Sequence, residues 1–105
     1  MIWPFRKKPY DPDWLVEAAR QVEQEYPWLP MALAACTESV ENGWLYVRFI
    51  TSKRANKPGS EWQFRESVIL EDTVHGDVIV DVLEGNRIGG VEFYDRLFEG
   101  KGESA

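Results

Sequence analysis

A chain of 105 residues has room for one domain, and its single cysteine, Cys36, excludes an internal disulfide and any zinc site built from several thiolates. The formal charge of −6 is concentrated late: residues 66–105 hold ten carboxylates against Arg87, Arg96 and Lys101. Such an acidic half repels phosphate backbones and argues against general nucleic-acid binding.

No stretch approaches the roughly 18 apolar residues of a membrane span. In the opening segment Arg6, Lys7 and Lys8 follow a very short apolar run, the reverse of a secretory signal, so no signal peptide is expected. With one thiol, this reading places the protein in the cytoplasm. Five Trp, four Tyr and five Phe supply much core area for a short chain, and rings are also interface anchors.

Residues 1–10, with Pro4, Pro9 and three cations, read as an irregular arm. Asp11-Pro12-Asp13 then starts a helix: Asp11 can accept N–H groups, Pro12 suits the first turn, and Asp13 favours the positive end of the dipole. Trp14, Leu15, Ala18, Ala19, Val22 and Tyr26 recur at helical spacing, so the helix is expected over 12–26, ended by Pro27. Residues 31–40 read two ways. Met31 to Ala35 has helical propensity, while Asn42-Gly43 is a two-residue hairpin signal that would pair Glu41 with Trp44, Val40 with Leu45 and Cys36 with Phe49.

Residues 44–51 are a strand, rich in aromatic and β-branched side chains. Lys53, Arg54, Lys57, Pro58 and Gly59 mark a polar loop. Trp62, Phe64, Val68 and Leu70 alternate with polar residues and predict a half-buried strand ending near Asp72. The last hairpin, residues 77–94, is the clearest. Gly85-Asn86 predicts a two-residue turn with positive φ at Gly85, so Glu84 faces Arg87, Asp81 faces Gly90, Val80 faces Val91 and Val78 faces Phe93. From 99 onward a polar tail should fray. The expected fold is α+β: one N-terminal helix on an antiparallel meander of four or five strands, in a single domain over 11–98, with no internal repeat.

Two segments carry a resemblance. Val80-Asp81-Val82-Leu83-Glu84-Gly85-Asn86-Arg87-Ile88-Gly89-Gly90-Val91-Glu92-Phe93 resembles the recurrent ending of the DUF2283 family, small and mostly prokaryotic proteins of unknown function, with Asp81, Arg87, Gly90, Val91 and Glu92 at the matching positions. Leu45-Tyr46-Val47-Arg48-Phe49 is similar to that family's upstream strand. The likeness covers roughly residues 44–95. Leu83 departs from a second Asp there, Gly85-Asn86 replaces an Asp-Gly turn, and the N-terminal helix is an addition. The resemblance implies a fold and no activity.

Candidate sites divide by chemistry. Asp81 beside the Cβ-free Gly90, with Glu92, could hold a polar ligand, although a strand glycine more often makes room for a neighbouring carboxylate or ring. Asp72, His75 and Asp77 are a weak metal set with no regular ligand spacing. Cys36 as a nucleophile would need His75 as its base, and its register makes it a small buried hydrophobe instead. Lys53, Arg54 and Lys57 with Trp62 and Phe64 could bind single strands, against the overall charge.

The second face of the sheet is the most distinctive feature. Trp44, Tyr46, Ile50, Ile69, Ile79, Leu83 and Ile88 all point away from the helix in the expected register, and one short helix cannot cover both sides. Ile2, Trp3 and Phe5, a second copy, or another protein would have to cover it. These residues favour a non-catalytic protein-binding or self-associating module without a cofactor. A small metal-dependent hydrolase with an acidic site is the alternative, and single-stranded nucleic-acid binding through the basic loop is the third.

Overall fold

The computed structural model describes residues 7–49 and 63–98, apart from the side chains of residues 41 and 42. The Ile2, Trp3, Phe5 and Arg6 part of the arm, Ile50, the Lys53, Arg54, Lys57 and Trp62 segment, and the tail from 99 lie outside the described residues. The chain is α+β. Its elements are β1 (Lys8–Pro9), α1 (Asp13–Ala19), a 3₁₀ turn (Arg20–Val22), α2 (Leu29–Ala34), β2 (Glu38–Ser39), β3 (Glu41–Asn42), β4 (Tyr46–Arg48), β5 (Phe64–Thr73), β6 (Gly76–Leu83) and β7 (Arg87–Phe93).

Asp11 Oδ1 accepts the Asp13 N–H at 3.0 Å, so the start of α1 falls beside its expected signal, one residue late and with Pro12 rather than Asp11 at the N-cap. Its end does not. The α-helix stops at Ala19 and tightens into the 3₁₀ turn, where the sheet edge competes for its side chains. Gln21 donates to the Glu71 carbonyl at 2.9 Å and accepts the Glu71 N–H at 3.0 Å. Its amide thus occupies the free edge of β5 as a neighbouring strand would. Tyr26 reaches further along, donating to Glu66 Oε1 at 3.2 Å.

The second helix resolves the segment that read two ways. Pro27 ends the first helical stretch, and Pro30 sits in the first turn of α2, where its missing N–H has no helical partner to lose. Leu29 and Leu33, four apart, are buried and Met31 is 81% exposed. Cys36 follows this helix and does not lie in a strand opposite Phe49.

Five antiparallel strands form the main sheet in the order β3-β4-β7-β6-β5, and β1 pairs with β2 beside it. β5, β6 and β7 run as a meander, while β4 lies against β7, so the chain crosses from the sheet interior to its far edge between β4 and β5. Val78, Val80 and Val82 on β6 form one face with Val68 and Leu70 on β5 and Val91 and Phe93 on β7. Leu15 and Ala19 of α1 and Leu29 and Leu33 of α2 pack on it as one core.

Two registers differ from expectation. In β3–β4, Asn42 pairs with Val47 and Glu41 with Arg48. The connection between β3 and β4 therefore covers 43–45 and not Asn42-Gly43 alone, with the Gly43 N–H donating to the Tyr46 carbonyl at 2.9 Å. Residues 44 and 45 are drawn off by β7: the Phe93 N–H donates to the Leu45 carbonyl at 2.8 Å.

In β6–β7, Val78 opposite Phe93, Val80 opposite Val91 and Asp81 opposite Gly90 are as read from the sequence. Beyond them the register shifts, and Val82 pairs with Ile88 and Leu83 with Arg87. The turn thus has three residues, with positive φ at Gly85 (77°) and Asn86 (57°). Arg87 Nη1 donates to the Glu84 carbonyl at 3.0 Å, in place of the expected cross-strand charge pair.

Candidate functional site

The second face is built from alternate residues of four strands, in two rows that cross the sheet. One row runs Ile69 (β5), Ile79 (β6), Glu92 (β7), Tyr46 (β4); the next runs Ser67, Asp81, Gly90, Arg48. Both helices pack on the opposite side. Ile69 is 58% exposed and Ile79 half-buried, so the first row begins with an open aliphatic step.

The second row is organised by the absence of a side chain. A Cβ on Gly90 would collide with the Tyr46 phenol and lie 2.6 Å from the Val47 carbonyl oxygen. The Tyr46 ring therefore lies over Gly90, and its hydroxyl donates to Asp81 Oδ2 at 3.0 Å. Ser67 is the cross-strand neighbour of Asp81 on β5. The pairing of Asp81 with Gly90 is thus explained by room for a ring, and Tyr46 is that ring. The Arg48 guanidinium stands 5.7 Å from the centre of the same ring. An open cleft of about 500 Å3 beside it is lined by Gly43, Trp44, Leu45, Tyr46 and Arg48.

Burial pushes the Tyr46 phenol upward, and the neighbouring Asp81 charge adds to this. Burial likewise raises Asp81 above its ordinary 3.8, against the opposing effects of the Tyr46 hydrogen bond, the Ser67 hydroxyl and the Arg48 charge. Asp81 therefore holds its proton more tightly in the fold than in the unfolded chain. Its contribution to stability is fully present below 3.8 and is lost as pH rises through its folded value. Asn keeps the acceptor for Tyr46 and carries no charge. Asp81→Asn should accordingly gain stability relative to the parent as pH rises from about 3 to 7. Denaturant midpoints of both proteins across that range measure it, and a gain that shrinks with rising pH contradicts the assignment.

Not all the expected face residues lie together. Ile88 is 4% exposed and belongs to the helix-covered core, because the extra residue at Gly89 turns it to the other side. Leu83 is 3% exposed, outside that core, and pairs with Phe64. Trp44, 61% exposed, sits at the end of the sheet. There the Arg96 guanidinium lies 4.6 Å from the Trp44 ring centre and 3.9 Å from that of Phe93. Arg96 Nη1 also donates to the Trp44 carbonyl at 2.8 Å. Ser67 and Phe64 were not predicted as face residues. Ser67 needed the β5–β6 register, and Phe64 is turned outward by a bulge before Glu66 that its alternation with Trp62 and Val68 conceals.

The other chemistries lack convergence. Asp77 Oδ1 accepts the Asp72 N–H at 2.9 Å, supporting a positive φ of 55° at Asp72. His75 Nδ1 faces Arg96 Nη2 at 3.5 Å, and its ring stands edge-on to Trp14 at 4.6 Å. The Asp77 carboxylate and the His75 ring are thus each turned to other partners. Among the described residues, no three His, Cys, Asp or Glu side chains gather as a metal site. Cys36 Sγ lies 3.6 Å from the Ala32 carbonyl, and burial pushes its thiol up to about 12, the wrong direction for a nucleophile. No described helix is long and apolar enough to cross a membrane.

Comparison with protein-family models, with curated proteins and with solved structures gives no match.

Proposed function

We propose that this chain is a non-catalytic protein-binding module that docks its partner on the second face of the five-stranded sheet. The single observation carrying this reading is the open aliphatic step of Ile69 and Ile79 at the β5 edge of a face that both helices leave free. Apolar surface in a fixed, hydrogen-bonded sheet loses little entropy on binding, so its burial goes largely into association. The partner is another protein or a second copy of this chain. The motif likeness to DUF2283 over residues 44–95 and a cytoplasmic setting belong to the same proposal, as they are consistent with a small accessory module holding a lone buried thiol.

The test compares proteins that co-purify with the parent, with Ile69→Glu and with Met31→Glu. Met31 is the control, exposed on the helix side. A specific partner, or a dimer seen by light scattering, should be lost with Ile69→Glu and kept with Met31→Glu at unchanged thermal midpoints. Retention of every interaction by Ile69→Glu rejects the face as the docking surface.

A further inference from the structure

Glu92, a half-buried residue, lies in the same row as Ile69 and Ile79, between Ile79 and Tyr46. Among the described residues it has neither a hydrogen bond nor an ion pair. The obvious local candidates are directed elsewhere. The Tyr46 hydroxyl is spent on Asp81, and Arg48 stands one row away, opposite Gly90. Any partner that covers Ile69 and Ile79 therefore also removes water from Glu92. A purely aliphatic partner would strip that carboxylate and return nothing, which opposes binding. A partner bringing a cation to it converts the same desolvation into a charge-assisted hydrogen bond.

We infer that the occupant of this face is a protein segment presenting Arg or Lys flanked by aliphatic side chains, the cation meeting Glu92 and the aliphatic groups covering Ile69 and Ile79. This rests on the docking-face reading above and names the chemistry of its partner. The whole-chain charge of −6 points the same way. Three of the four strands forming the face fall in the acidic residues 66–105 or at their margin, so a basic partner is steered toward them and a second acidic copy is repelled.

The test uses the full chain and two short fluorescent peptides, one in which Arg alternates with Ile and Ser, the other with Glu in place of Arg. The Arg peptide should bind, more weakly as salt is added, and the Glu peptide should not. The isosteric Glu92→Gln should weaken the Arg peptide roughly tenfold, and Glu92→Lys should shift preference to the Glu peptide. Binding that falls with Ile69→Ser but ignores both Glu92 variants leaves the face in place and overturns the cationic partner. Binding indifferent to all three removes both readings. A dimer in light scattering that Ile69→Ser converts to monomer also overturns the inference, since the occupant is then a second copy.

Discussion

Gly90→Ala is expected to destabilise the fold by about 2–3 kcal/mol, the scale of an overpacked site that cannot relax. In a domain of this size that corresponds to a fall in midpoint of roughly 10–20 °C. The new methyl meets two obstacles of different kinds. The Tyr46 ring can swing away, at the loss of its hydrogen bond to Asp81, but the Val47 carbonyl oxygen 2.6 Å from the Cβ is part of the β4 backbone and cannot. Gly90→Ala in a Tyr46→Ala background should therefore cost less than in the parent and still be destabilising. Thermal and denaturant melts of the four proteins give the coupling directly. An unchanged midpoint for Gly90→Ala alone would show that Gly90 is not held against β4 as described.

Leu33→Ala should cost about 2–4 kcal/mol, the range for a buried leucine whose cavity collapses only in part. Met31→Ala, two residues away, should stay within about 0.5 kcal/mol of the parent. The pair discriminates helix from strand. In α2 Leu33 is fully buried with Leu29, and Met31 points outward. In a strand, residues 31 and 33 would share one face and respond alike. Similar losses at both positions, measured by urea denaturation, would contradict the helix.

These two substitutions also mark where sequence reasoning held and where it stopped. The outer part of the β6–β7 hairpin was readable because valine at 78, 80 and 82 alternates without interruption, which sets the register from Val78–Phe93 to Asp81–Gly90. The part next to the turn was not. A three-residue turn and an extra residue at Gly89 leave the local pattern of Leu83 and Ile88 looking like uninterrupted alternation. The register shift between Asp81 and Val82 moves Ile88 into the core. Residues 29–34 carry two prolines at their approach, and only the packing of Leu29 and Leu33 on the sheet decides for a helix there.

The candidate face has the same division. Ile69, Ile79, Tyr46 and Asp81 lie on the side that alternation assigns, because period-two patterning is a property of each strand alone. Ser67 beside Asp81, Tyr46 laid over Gly90 and Glu92 left without a partner among the described residues depend on how separate strands come into register. No local pattern encodes that.

By itself the sequence determined the α+β class, the antiparallel strands, a helix beginning just after Asp11-Pro12 and the opposition of Asp81 to Gly90, all consequences of short-range periodicity and of turn chemistry. The tertiary structure alone decided the second helix, the register shifts in β5–β6 and β6–β7, the placing of β4 against β7, and which apolar residues of the second face remain exposed. Those outcomes are set by the balance of burial and hydrogen bonding between segments far apart in the chain, where the Gln21 amide on the β5 edge and the Tyr46 ring on Gly90 do their work.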